Sequence, residues 1–325
     1  MTKITKTPTA NMTREEWLAE RRKSVGGSEA GAVLGLSEWA SPYSVWADKR
    51  GLLPDKGDNE AMRIGRDLED YVAQRFTEAS GIKVRKDQYI YRNDDYPFLH
   101  ANIDRRCVGV KAGLECKTAS ALTTKRFHLG EFPDQYYAQC VSYMAVTGLP
   151  TWYLAVLVMG KSFKVYGLTV DAEAENPDWC EDLAVVDIME FATLREEIIH
   201  FWARVEANVP PSADGKDCTS AAIDAVNGRE TLPDVVDLMP FAADLGEIAD
   251  IDDKIKALNL RRETLVQGVK LHMGGHECGA CGDHRITWKP QTRHVFDREA
   301  FAADHPEINL EKYQKATVCR PFRIY

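Results

Sequence analysis

The spacing of apolar residues changes several times along the chain, and each change marks a different element. Thr13-Arg14-Glu15-Glu16 has the form of a capping box, with Thr13 as N-cap and Glu16 reaching back. It predicts a helix to about Lys23, before Gly26-Gly27. Ser41-Pro42 repeats the start signal, and Gly51 closes a short helix. From Asp58 to Ser80, the residues Ala61, Ile64, Leu68, Val72, Phe76 and Ala79 recur at three- and four-residue steps, and Gly81 stops the helix. The period then shortens. Ile82, Val84, Tyr89 and Tyr91 read as one or two strands, and 97–103 and 113–118 as two more with a turn inside 106–112. Pro133 opens a helix that ends at Gly148. Trp152–Val158 is a nearly unbroken apolar run, and Phe163–Val170 alternates behind Gly160, which predicts a hairpin with a buried first strand. A long amphipathic helix is expected over 182–207.

Pro210-Pro211-Ser212-Ala213-Asp214-Gly215 interrupts the pattern and sets the expected boundary between a core, 1–209, and an extension, 210–325. The extension holds a helix over about 240–273 and, from Arg285, short strands around a polar segment at 297–311. Asp250-Ile251-Asp252-Asp253 weakens a coiled-coil heptad in that helix, so antiparallel packing on another helix is expected instead.

At 44% hydrophobic and 28% charged, the chain can bury a core, which excludes wholesale disorder. No apolar run is long enough to span a membrane, and the start MTKITKTPTANMTREEW lacks a signal core. Eight cysteines are too few for a disulfide scaffold, so a reducing cytoplasm is the expected location. The net charge of −9 conceals an asymmetry. Residues 171–260 hold 22 Asp/Glu against 6 Lys/Arg, a balance of −16, which leaves +7 on the other 235 residues. This reads as an acidic block appended to a mildly basic body able to meet phosphates, or as a plain solvated acidic face.

Candidate chemistry centres on Asp104 and Glu115-Cys116-Lys117. Alternation along a strand points Glu115 and Lys117 one way and packs Leu114 and Cys116 behind. A hairpin brings Asp104 beside Glu115. Two bare carboxylates repel unless a cation joins them, and oxygen donors without histidine or thiolate favour Mg²⁺ or Mn²⁺. A neighbouring lysine can orient water or stabilise charge on a phosphate. The bland alternative is an exposed Glu/Lys pair. Glu69 lies at the edge of the 58–80 stripe, and Gln139 and Tyr143, four apart, share a helix face. Arg21, Ser28 and Gly26-Gly27 form a loop suited to a phosphate. Trp39, Tyr43 and Trp46 offer stacking surfaces for a duplex end or, more simply, core packing.

In order, RRKSVGGSEAGAVLGLS, MRIGRDLEDYVAQRF, FLHANIDRRCVG, LECKTAS and YAQCVSYMAVTG resemble the YqaJ-like viral recombinase family, relatives of the lambda-type exonucleases among PD-(D/E)XK nucleases. The resemblance covers roughly 14–170. It implies an α/β fold, a central mixed sheet flanked by helices, with a two-metal site at the sheet edge. By position, Asp104, Glu115 and the backbone carbonyl of Cys116 match metal ligands, Lys117 the motif lysine and Glu69 the helical acid. Gln139 and Tyr143 match a Q-x-x-x-Y motif, and Arg21 and Ser28 the residues that receive a 5′-phosphate. The implied protein is a Mg²⁺-dependent exonuclease, 5′→3′ on linear double-stranded DNA, of a phage or prophage in a bacterial host. It would work with a single-strand annealing protein and as a homo-oligomer. The roughly 115 residues beyond 210, which lambda-type exonucleases lack, argue against their three-subunit ring. A structure-specific endonuclease of the same fold and an inactive DNA-end-binding module are the alternatives.

Cys278-Gly279-Ala280-Cys281, with His272, His276 and His284, has the residue types of a zinc site, but a Gly-rich turn between helix and hairpin is the expected reading.

Overall fold

The computed structural model describes residues 3–54, 57, 59–120, 133–228, 232–315 and 320–324. The chain forms two compact units, Met1–Thr231 and Leu232–Tyr325. Among the described residues no helix is long and apolar enough to cross a membrane.

The first unit is built on two sheets. Strands β1 (Ile4–Pro8), β2 (Val25–Gly26), β4 (Tyr89–Asn93) and β5 (Leu99–Asn102) form a four-stranded sheet in the order β1-β4-β5-β2. A six-stranded mixed sheet runs β10-β9-β8-β7-β6-β3, from β3 (Val84–Lys86), β6 (Arg105–Cys107), β7 (Ala112–Ala119), β8 (Thr151–Val158), β9 (Ser162–Thr169) and β10 (Asp182–Val185). The predicted hairpin is present: β8 and β9 pair antiparallel around Gly160, whose φ is +69°.

β7 and β8 are parallel, so the chain must cross over between them, and α5 (Asp134–Thr147) lies on that crossover. Alternation along β7 then separates its neighbours. Leu114 and Cys116 join Val72, Ala73 and Phe76 of α4 (Glu60–Ser80) in one apolar cluster. On the other face, the buried side of α5 packs with Trp152, Leu154 and Val156 of β8 in a larger one. Helices thus flank the central mixed sheet. The predicted α4 stands with Asn59 as its N-cap and Gly81, at φ +73°, closing it; its expected start at Asp58 lies outside the described residues.

Helices α1 (Arg14–Arg21), α2 (Gly27–Val33), α3 (Pro42–Lys49), α6 (Ile188–Ala207) and α7 (Asp217–Asn227) complete this unit. The Thr13/Glu16 capping box forms as predicted. Three expectations change. The strand read at 97–103 supplies β5 of the smaller sheet, while the partner of β7 is β6, which begins before the segment expected to turn. The turn itself is shorter and contains Gly109 at φ +84°. The long helix expected at 182–207 starts only after Asp187, because Asp182–Val185 pair in parallel with β9 and Asp187 with Glu190 makes a new capping box. The chain does not leave the unit at Pro210-Pro211. It continues into α7, whose Ala222 is buried against the main cluster, and Lys216 donates to the carbonyls of Gly35 (2.6 Å) and Ser37 (3.0 Å). The acidic stretch 171–260 is therefore no separate appendix: it runs through β10, α6 and α7 and into the second unit.

The second unit contains α8 (Ala242–Met273), a hairpin of β11 (Cys278–Cys281) and β12 (His284–Thr287), α9 (Arg298–Asp304) and a 3-10 turn at Leu310–Tyr313. The strands expected from Arg285 onward amount to β12 alone among the described residues. Cys278 and Cys281 form the ends of β11 rather than a turn. Both are exposed and stand three apart in a strand, so their side chains take opposite faces.

Candidate active site

β6 and β7 pair with Arg105 opposite Leu114 and Arg106 opposite Gly113, and one further step sets Asp104 opposite Glu115. The Cys116 N–H donates to Asp104 Oδ2 at 2.8 Å, which fixes one carboxylate beside the other. Glu115 is 2% exposed. Its Oε1 accepts from Gln139 Nε2 at 2.6 Å and pairs with Lys117 Nζ at 2.5 Å, whereas its buried Oε2 has no hydrogen-bond partner. Burial first, and the charge of Glu115 second, push the Asp104 carboxyl up to about 7. Burial works against the Lys117 ammonium, but Glu115 and Asp104 outweigh it and hold the group above its usual value. Tyr136 lies under the same ammonium, its ring centre 5.5 Å away.

Gln139 and Tyr143 share the α5 face turned to β7, as their spacing predicts. The Gln139 amide spends its second N–H on Tyr143 Oη at 2.8 Å, and both residues are buried. Tyr143 also touches the start of α2. A Cβ added at Gly27 would stand 2.5 Å from the tyrosine ring, so only glycine permits this approach.

At that helix start Arg21 Nη2 lies 3.5 Å from Ser28 Oγ and 3.1 Å from Glu29 Oε1. Glu29 Oε2 accepts from Gly26 N–H at 2.7 Å and pairs with Lys49 at 2.6 Å, an ammonium wholly shielded from solvent. Burial opposes the charge on Glu29, but Lys49 and Arg21 hold its carboxyl below the usual range. Arg21 stacks over the Trp17 ring at 4.7 Å and borders a cleft of about 340 Å³ whose wall also carries Arg14, Arg22 and Arg66.

The structure thus brings Asp104, Glu115, Lys117, Gln139 and Tyr143 together, and Arg21 with Ser28. Glu69 is not among the first group. Its carboxylate is held by the buried Arg105, which also pairs with Asp70 and donates to the Asp104 carbonyl at 2.8 Å. Cys116 contributes its backbone, and burial pushes its thiol well above the usual value, so no thiolate is present. Tyr43 and Trp46 are core residues, while Trp39 is 69% exposed. Sequence reading missed Arg105, Glu29 and Lys49. Glu29 had a signal: it stands three residues after Gly26 at the position where a capping carboxylate reaches back.

Among the described residues, no three His, Cys, Asp or Glu side chains converge as a ready metal cage, and this holds for the Cys278/Cys281 segment too. Asp104 and Glu115 nevertheless suit a hard divalent cation. They offer carboxylate oxygens only, one of these is buried without a partner, and their mutual repulsion is what a cation would relieve.

Residues 16–150 match the YqaJ-like viral recombinase domain. YqaJ of Bacillus subtilis (strain 168) is 34% identical over 323 residues, 97% of this chain and 95% of that protein. The chain belongs to the YqaJ-like viral recombinase family. The domain match runs from within α1 to just past the end of α5 and includes Arg21, Ser28, Asp104, Glu115, Lys117, Gln139 and Tyr143, while the likeness to the Bacillus protein extends through the second unit. Among solved structures, this family member resembles an alkaline exonuclease from Laribacter hongkongensis (TM-score 0.46, 20% identity, 60% of this chain and 94% of that one). It also resembles a phage-related exonuclease from Haemophilus somnus 129PT (TM-score 0.38, 11% identity, 57% and 94%).

Proposed function

We propose that the protein is a Mg²⁺-dependent exonuclease that digests linear double-stranded DNA from 5′ ends and leaves single-strand tails for recombination, with a single-strand annealing protein as partner. The observation that carries this reading is the pairing of Asp104 with Glu115 across β6 and β7, with Lys117 on the same carboxylate. Membership of a viral recombinase family supports the recombination role.

Asp104 and Glu115 would hold the cation, Mg²⁺ or Mn²⁺, with the Cys116 carbonyl as a third donor. The chemistry such an ion supplies when bound is activation of a water and stabilisation of charge on the phosphate. The chain's own residues do the rest. The Cys116 N–H orients Asp104. Gln139, braced by Tyr143, fixes the Glu115 oxygen that Lys117 also meets, leaving Oε2 for the cation. Lys117, held positive, faces the scissile phosphate and steadies either the attacking water or the charge that develops on the phosphate oxygens. Arg21 and Ser28 receive the terminal 5′-phosphate, and the cleft with Arg14, Arg22 and Arg66 accommodates neighbouring phosphates. An end held there would fix which bond is cut next.

The test is digestion of end-labelled linear duplex with Mg²⁺, on 5′-phosphorylated and 5′-hydroxyl ends. Release of 5′-terminal nucleotides, faster from phosphorylated ends, is expected. Internal cuts in circular DNA would favour the endonuclease reading instead, and binding of ends without cleavage the inactive one.

A further inference from the structure

Helix α8 carries Ile248, Ile251, Ile255, Leu258, Leu265 and Val269, all exposed, at steps of three and four residues except for the seven across Arg262. In a heptad, Ile248, Ile255, Arg262 and Val269 take position a, and Ile251, Leu258, Leu265 and His272 take position d, which makes one continuous seam. Asp250, Asp252 and Asp253, expected to weaken the heptad, fall at c, e and f and leave that seam unbroken. Leu260 and Leu271, also exposed, lie off it. Only Met273 of this helix is buried. A stripe of this length left in water is the mark of an interaction surface.

Charge says what the surface fits. Residues 242–253 of the helix contain five Asp/Glu and no Lys/Arg, whereas 254–273 contain five Lys/Arg and only Glu263. This polarity suits the helix macrodipole, but that accounts neither for an arginine inside the seam nor for the stripe itself. A parallel pair would set acidic half on acidic half and Arg262 on Arg262. An antiparallel pair of the same helix does the reverse. With Ile248 opposite Leu258 of a second copy, Asp244 meets Arg262 and Glu247 meets Arg261, twice over by symmetry.

We propose that two copies of the chain associate through α8 as an antiparallel coiled coil in this register. The part of the seam from Asp244 to Arg262 is then covered by its own twin, with Leu265 and Val269 beyond the overlap, and Arg262, which would otherwise sit unpaired in an apolar layer, selects orientation and register.

Sedimentation equilibrium of the full chain tests it. The expected mass is twice the 36.5 kDa of one chain. Leu258→Glu should reduce it to a single chain without loss of far-UV helix signal, since the side chain it replaces is exposed. Asp244→Arg and Arg262→Asp, each alone, should weaken association at least tenfold, and the two together should restore it. A wild-type monomer, a three-chain assembly or a dimer indifferent to Leu258→Glu would overturn the proposal. So would a charge-swapped double variant as weak as its parents, which an antiparallel pair in this register does not permit.

Discussion

Asp104 has two neighbours of opposite effect, and the balance between them sets a measurable pH dependence. Its carboxyl rises from the ordinary 3.8 to about 7 through burial and the charge of Glu115. The folded value lies above the unfolded one. Without a cation, the stability linked to this group is therefore complete below about pH 4 and lost as the pH climbs through about 7. Asp104→Asn keeps an acceptor for the Cys116 N–H and removes the charge. In EDTA its melting temperature should exceed that of the wild type by a margin that grows between pH 4 and pH 8, to several degrees. Added Mg²⁺ should close the gap by raising the wild type alone, while cleavage by the variant is lost. A margin flat with pH would mean that Asp104 is not strained by its neighbour. Gln139→Ala acts one step further out. It frees the Glu115 oxygen, and a fall of roughly 10–100-fold in apparent Mg²⁺ affinity is expected by titration of activity against the ion. At this scale the sequence was legible wherever a fixed period set the geometry: strand alternation for Glu115 and Lys117, and helical spacing for Gln139 and Tyr143. It was silent on Arg105 and Lys49, whose partners Glu69 and Glu29 lie 36 and 20 positions away and meet them only through tertiary packing.

The α2–α5 contact shows how one element controls another. Gly27 lets α2 approach until the Tyr143 ring fills the space where a side chain would stand, at 2.5 Å from an added Cβ. That ring is buried and cannot swing into solvent. Gly27→Ala must therefore displace α2 or the tyrosine, at a cost of roughly 1–3 kcal/mol. Because Tyr143 braces Gln139, cleavage should fall more than stability explains. The comparison is activity well below the melting temperature of the variant, and full activity there would detach α2 from the site. Elements dominated by local signals, such as the Thr13 box, α4 between Asn59 and Gly81, and the β8–β9 hairpin, were legible in the sequence. Those decided by pairing were not. β6 is three residues long and β10 four, too short for a period to emerge, and each exists because a neighbouring strand offers it hydrogen bonds.

At the scale of the whole molecule, Pro210-Pro211 looked like a boundary because such a pair breaks any helix, but a break in an element is not a break in a core. The first compact unit runs on to Thr231. α7 packs Ala222, Ile223, Ala225 and Val226 on the main apolar cluster, Thr219 is buried and bonded to Asp214 at 2.5 Å, and Lys216 ties the segment to the end of α2. Two truncations separate these readings. A chain ending at 231 keeps all of these contacts and should melt cooperatively near the temperature of the first unit in the full protein, cutting DNA if the proposed activity is right. A chain ending at 211 strips α7 from α3 and uncovers the apolar surface beneath. At about 0.8 kcal/mol per buried CH₂ the loss is on the order of 3 kcal/mol. With roughly 2–4 °C per kcal/mol for a unit of this size, its midpoint should fall by about 6–12 °C. Calorimetry of the two truncated chains makes the comparison without reference to catalysis. Equal midpoints would return the boundary to the prolines and make α7 a passenger on the first unit.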